Sequence, residues 1–538
     1  MESRLALALA LSLGILVGFQ VLFPPKPQPA SAPAAAPATA AAPASGAAAP
    51  AAPGGVPAAS ADVAAAAAAA PGDPGPVVDV TSDLFHARFQ SRGGRLVGFD
   101  LAKYKNDPAP GDGPYDLIRQ IGIAPLGVLW RAENGNVVDD RAILYDITAT
   151  APQVRPGLPV TVTMRGQTPT GATITKTVLI SPTSYVMDFK VTAEGLPATA
   201  LGVGWSRQLH PHKARADVEG AVGYFDGKLH SFDASVLKDT QAVEGKASWA
   251  GYAEHYFLAA YIPDGPQPLK LVASASDGSG HAALWTDAPT TSVHYGIYLG
   301  PKSPGDLEQA GNDLVQAIDL GWFWFIAKPL LVALRAIHAI VGNYGWAIIL
   351  LTVAVRMMFY PINKKQIEAM KGMQRIQPEV KKIQERYQDD RGKMNEEMME
   401  LYRRHKVNPL AGCLPMLVQL PVFIGLYNVL LQSIDLRHAP FIGWMHDLSQ
   451  PDRLGTISVP FVEPAGIPVM TLLMGASMIL QQKMTPSTAD PAQQRMMMVM
   501  PVVFTVMFVN FPAGLVLYWL SNNLLSIAQQ WLSNRQSR

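Results

Sequence analysis

Arg356 lies in an apolar run, 342–361, that is long enough to cross a bilayer. None of the apolar runs after residue 342 (342–361, 412–432, 466–482, 496–511, 513–531) contains an Asp or Glu. Arginine cannot shed its proton to escape burial. Insertion scales put a charge at mid-helix at about 2.5–3.5 kcal/mol unfavourable. The cation therefore either snorkels to a membrane surface or sits in water held by the protein. The second case is chemistry: a fixed positive charge that attracts anions where the dielectric is low. Thr352 is one turn back on the same face, Gln419 lies in the 412–432 run, and Ser521, Asn522 and Asn523 interrupt the last run. Polar side chains in several spans can line a hydrated groove. The plain alternative is interhelical hydrogen bonding, worth about 0.6 kcal/mol each on average.

Covalent chemistry has no foothold in the sequence. It contains no phosphate loop, no nucleophile–base pair and no metal-ligand spacing, so catalytic residues, cofactors and metals are all expected to be absent. The single cysteine, Cys413, excludes an intramolecular disulfide and reads as a small buried apolar residue. His210 and His212 flank a proline, which suits a loop. With His230 and His255 they read as ordinary histidines, because no cysteines or clustered carboxylates complete a site.

At 538 residues the chain needs more than one core, and its net charge of +1 conceals a very uneven placement of charge. Residues 1–23 read as an N-terminal transmembrane signal anchor with an apolar run from Leu5 to Phe23. Residues 24–76, almost entirely Ala, Pro and Gly, form a linker. From 77 to 310 the texture turns to period-two alternation. Tyr185, Met187, Phe189 and Val191 share one face, and Val160, Val162 and Met164 alternate with threonines. Short runs of this kind, with turn residues between them and no helices, predict an antiparallel β-sandwich.

Within 313–341, Lys328, Arg335 and His338 fall on one side of a helix, opposite Phe325, Leu330, Leu334 and Ile337. That pattern predicts an amphipathic helix lying in the membrane interface. Residues 342–538 form the membrane core, whose five runs with the N-terminal anchor give about six spans. The segment 362–411 carries twelve Lys/Arg, which places it in the cytoplasm and the β domain outside. Val380, Ile383 and Tyr387 suit one helix face, and Met394, Met398 and Leu401 another, which predicts a helical hairpin. Lys381, Lys382, Arg403 and Arg404 then offer a docking surface, or merely a solvated face that fixes topology. The fold class is thus an α-helical transmembrane bundle joined to an extracytoplasmic β-sandwich.

Several separated motifs resemble one family. Asn408-Pro409-Leu410-Ala411-Gly412-Cys413-Leu414-Pro415 followed by Gln419-Leu420-Pro421-Val422-Phe423 resembles the third span of YidC-type membrane-protein insertases. Trp444-Met445-His446-Asp447-Leu448-Ser449 is similar to that family's periplasmic loop motif, and Phe511-Pro512-Ala513-Gly514-Leu515 with Tyr518 to its last hairpin. Arg356 before Met357-Met358-Phe359-Tyr360-Pro361 matches its groove arginine. The match is dense over 320–535 and looser over 77–310, where only the layout agrees.

The resemblance implies an insertase of the bacterial inner membrane. It would move hydrophobic segments of nascent proteins from the cytoplasm into lipid through a hydrophilic groove, alone or beside the Sec translocon. Arg356 would attract the acidic tail of the client, and Tyr518 and Trp519 fall where relatives have substrate-contacting aromatics. Asn510 departs from relatives with an aromatic there. The implied partners are nascent membrane proteins, the Sec translocon, membrane lipid and, through the 362–411 loop, the ribosome. No sequence-specific nucleic acid is expected. The competing reading is an anion transporter or channel with Arg356 as its site; the absence of internal symmetry among the spans speaks against it.

Overall fold

The computed structural model describes residues 73–535 except 107–112, 119–123, 133, 198, 210–218, 277, 388–389, 406, 408–413, 458–461, 463 and 485–490. The expected anchor (5–23), most of the linker, His210, His212 and Cys413 lie outside the described residues.

Strands run from Val77 to Pro301 in a four-stranded and a fourteen-stranded sheet, and every pair of strands is antiparallel. Alternation in the sequence becomes alternation in burial. Val160–Gln167 buries Val160, Val162 and Met164, and Val186–Glu194 buries Met187, Phe189 and Val191. Phe257–Pro263 is buried at all seven positions, so both faces of that strand are covered, as a sandwich requires. The core includes the fully buried rings of Phe85, Phe89, Phe99, Trp249, Tyr252, Tyr295 and Tyr298.

Two buried cations brace this domain. Lys176 lies on the inward face of Thr173–Ile180, between Ile174 and Val178. Its Nζ donates to the carbonyls of Gly93, Gly94 and Leu126 at 2.7–2.9 Å and pairs with Asp140 at 2.5 Å. Arg207 pairs with Glu254 and donates to Tyr115 Oη at 3.1 Å, and Tyr115 in turn donates to Glu254 at 2.6 Å.

Nine helices are described beyond the sheets. They are α1 (Pro304–Ala310), α2 (Trp324–Val341), α3 (Tyr344–Met358), α4 (Tyr360–Arg386), α5 (Arg391–Arg404), α6 (Leu414–Gln432), α7 (Val469–Met484), α8 (Pro491–Phe508) and α9 (Ala513–Arg535). The breaks have local causes. Gly342 takes the left-handed conformation (φ 69°) that stops α2. Asn343 then caps α3, its side chain accepting from the Trp346 amide at 3.2 Å. Pro361, in the first turn of α4, suits a helix start because that position needs no amide hydrogen.

The bundle core gathers Leu334, Ile348, Leu351, Leu426, Leu430, Met474, Val516 and Tyr518 from α2, α3, α6, α7 and α9. Large apolar residues also stay outside: Leu472, Leu473, Val502, Val503 and Val506 are all more than half exposed. Such a belt on α7 and α8 is a surface for lipid rather than water.

By length and composition, α2 alone among the described helices is long and apolar enough to cross a membrane. α3 and the apolar parts of α6 and α8 (Gln419–Gln432, Met498–Phe508) are shorter. On α2 the buried stripe is Ala327, Leu330, Leu331 and Leu334. Phe325, expected on that stripe, is exposed beside Trp322 and Trp324, because nine residues at about 100° each set it opposite Leu334. The basic segment folds as a helical hairpin, α4 and α5, sealed by Ile376, Val380, Leu401 and Tyr402 with Ile383 and Met398 beside them. Tyr387 follows the last turn of α4 and stays outside that cluster.

Candidate functional site

Arg356 occupies the last turn of α3, half-buried, and points at α9. There its guanidinium meets a polar stripe. Nε and Nη2 donate to Asn522 Oδ1 at 3.3 and 3.1 Å, and Nη2 also reaches the Asn522 carbonyl at 3.1 Å. Nη1 donates to Gln529 Oε1 at 3.2 Å, and Nη2 to Ser526 Oγ. Residues 522, 526 and 529 are spaced i, i+4 and i+7, so one face of α9 presents all three. Tyr518 lies one turn before Asn522 on α9. Among the described residues no Asp or Glu pairs with this arginine, so its acceptors are neutral dipoles and its charge is uncancelled.

A second group stands beside the first. Gln419 Nε2 of α6 approaches Tyr518 Oη at 3.5 Å, at the limit of a hydrogen bond. Trp519 packs edge-on to Phe423 of α6 (ring centroids 4.9 Å) and against Phe504 and Phe508 of α8. Its indole Nε1 is buried with no hydrogen-bond partner among the described residues.

The other predicted groove residues turn elsewhere. Thr352 is buried and donates to the Ile348 carbonyl of its own helix at 2.7 Å, an ordinary back-bond for a threonine in a helix. Asn523 faces α7 and donates to Ser477 Oγ at 3.1 Å. Asn523 thus makes the interhelical bond that was the plain alternative, whereas Thr352 bonds within its own helix. Ser526 and Gln529 are the additions, and their spacing from Asn522 was the available signal. Asn510 accepts from Arg453 Nη2 at 2.7 Å, which ties the α8–α9 turn to the loop before α7.

On the hairpin, Lys381, Lys382, Arg403 and Arg404 are all exposed. Arg404 pairs with Glu400 one turn back at 3.1 Å, the geometry of a solvated helix face.

A β domain followed by a helical bundle with a lipid-type surface defines a class, the membrane protein with a large domain outside the bundle. Comparison with known proteins narrows it. Residues 77–333 match the model of the YidC periplasmic domain, and residues 336–538 that of the 60Kd inner membrane protein. The membrane protein insertase YidC of Pelobacter propionicus is 40% identical over 479 residues, covering 85% of this chain and 86% of that protein. That of Geobacter sulfurreducens is 38% identical over 467 residues, covering 84% and 85%. A crystal structure of an active YidC insertase with its first transmembrane domain resolved covers 86% of this chain and 93% of its own, at 18% identity and a TM-score of 0.39. The chain belongs to the YidC family of membrane-protein insertases.

Proposed function

We propose that this insertase uses Arg356 as an electrostatic receptor for the acidic tail of an incoming membrane protein. The supporting observation is that, among the described residues, every hydrogen bond of Arg356 goes to a neutral group. The guanidinium is oriented without losing charge, so an arriving carboxylate is its first true counter-ion. The attraction is strengthened by the low dielectric around it. Release follows as the apolar part of the client partitions into lipid, and no covalent step is needed. Tyr518, Trp519 and Gln419 form the neighbouring wall along which that apolar part slides.

Topology follows the charges. The hairpin of α4 and α5 is cytoplasmic, the β domain is periplasmic, and the runs after residue 342 with the N-terminal anchor cross the inner membrane. We assign α2 to the outer membrane surface. It meets the C-terminal half of α6, with Ile326 beside Gly425; the Leu320 carbonyl just before α2 accepts from Asn428, and Arg335 pairs with Asp435 beyond the end of α6. α3, at 15 residues, is only about 22 Å long against about 30 Å of hydrocarbon. The bilayer thins beside it, which lowers the barrier for a polar tail. Nascent membrane proteins are the clients, the Sec translocon and lipid are the neighbours, and the exposed basic hairpin is the surface offered to a ribosome.

The test is insertion of a single-span client with a short acidic tail into proteoliposomes, comparing wild type, Arg356→Lys and Arg356→Ala. Alanine fails, lysine works, and a client with a neutral tail no longer distinguishes the three. Equal insertion by all three would reduce Arg356 to a topology anchor.

A further inference from the structure

The turn after α6 touches four separate parts of the molecule within seven residues. The Leu431 carbonyl meets His255 Nε2 of the β domain at 2.7 Å. Ile434 and Leu436 lie two residues apart in one 3-10 turn, and both are buried. Ile434 belongs to the hydrophobic core of the β domain, with Leu307 and Leu314, whereas Leu436 belongs to that of the helical bundle. Between them Asp435 takes a two-pronged ion pair from Arg335 of α2, Nη2 at 2.6 Å and Nε at 2.7 Å. One residue on, the Arg437 guanidinium sits over the rings of Tyr115 and Phe257, 5.2 and 5.6 Å from their centroids, and donates to the carbonyls of Lys105 and Asn106.

The two rings under Arg437 are themselves fixed. Tyr115 and Phe257 stack at 4.2 Å, and the Tyr115 hydroxyl is locked into the buried Arg207–Glu254 pair. The anchorage of the turn therefore runs without a gap into a buried ion pair of the sandwich. A cation over aromatic faces and two guanidinium nitrogens converging on one carboxylate oxygen, Asp435 Oδ2, are both geometrically demanding contacts. A linker that only joined two independent domains would need neither. What the turn holds is the outer end of α6, the helix whose Phe423, Tyr427 and Gln419 form one wall against Trp519, Phe511 and Tyr518.

We infer that Leu431–Arg437 is a positioning joint, through which the β domain fixes the outer end of α6 and with it the α6 side of the client path. Asp435 and Arg437 are its positioning residues, and neither touches a client. The inference rests on the insertase activity of the family and not on the role proposed for Arg356.

The test uses the full chain in proteoliposomes with Cys413 replaced by serine and spin labels attached at Leu420→Cys on α6 and Val236→Cys on the β domain, both exposed positions. Wild type gives one narrow distance distribution. Arg437→Ala and Asp435→Arg broaden it and slow client insertion on the order of fivefold, the factor that loss of a partly exposed cation–aromatic contact corresponds to. Arg335→Asp combined with Asp435→Arg restores both the narrow distribution and the rate, which a variant with a generally damaged fold would not do. Arg356→Ala leaves the distribution narrow, so failure of the receptor reading and failure of the joint are told apart. Broadening without loss of insertion, loss without broadening, or a charge swap that restores neither would each overturn the joint.

Discussion

Lys176 and Arg356 are both cations carried on faces that are otherwise apolar, one in the β domain and one in the bundle. Lys176 is wholly buried and has a carboxylate, Asp140, at 2.5 Å with three carbonyls around it. Arg356 is half-buried and collects as many contacts, yet none of its described acceptors carries charge. A matched buried pair contributes to a fixed structure, and its two charges cancel for anything at a distance. A cation held by dipoles is equally well aimed but keeps its field. The same polypeptide thus uses one device for rigidity and withholds half of it at the site where we propose that a client is recognised.

The comparison breaks most visibly in the β domain. Lys176→Ala strands Asp140 as a buried charge and costs about 3–5 kcal/mol, read from denaturant unfolding followed by the near-ultraviolet signal of the buried aromatics. In the bundle the converse change is the informative one. Gln529→Glu gives Arg356 the carboxylate it lacks. Insertion of a client with an acidic tail falls by roughly an order of magnitude, while the melting temperature of the protein does not fall. Ser526→Ala removes one neutral acceptor and leaves the charge alone. It costs about 0.5–1.5 kcal/mol in holding the guanidinium, seen as a several-fold slower insertion that an acidic tail feels and a neutral tail does not.

The smallest effect belongs to a third cation, at the surface. His294 hydrogen-bonds Asp264 at 2.5 Å and Asp188 at 2.8 Å, and the bond to Asp264 is the main reason its pKa is raised. Its contribution is complete below the ordinary imidazole pKa of about 6.5 and is lost as pH rises through the raised value. Melting temperature therefore drops slightly over that interval in wild type and stays level in His294→Gln.

Much of this architecture is legible because its signals are local. Period-two alternation at 160–164 and 185–191 marks strands whatever they pack against, and the apolar spacing within the highly charged segment 362–411 marks a helical hairpin. Arg356 is conspicuous for the same reason, since one charge in an apolar run needs no neighbour to be noticed. Its partners are harder to see. Ser526 and Gln529 are unremarkable polar residues near a helix end, and only their spacing from Asn522 ties them to one face. Which helix that face meets is a tertiary fact. Thr352 shows the opposite failure, a correct helical face with a hydroxyl already satisfied by its own backbone. Lys176 occupies an inward position of a plainly alternating strand, but its justification comes from Gly93, Leu126 and Asp140, all distant in sequence.

Ile434 and Leu436 have a thermodynamic corollary. Because one short turn supplies a buried side chain to each hydrophobic core, neither domain can melt without pulling a residue out of the other. Heating should therefore give a single calorimetric transition, with the β domain and the bundle unfolding as one cooperative unit. Ile434→Ala, which releases one end of that turn, should split the peak in two.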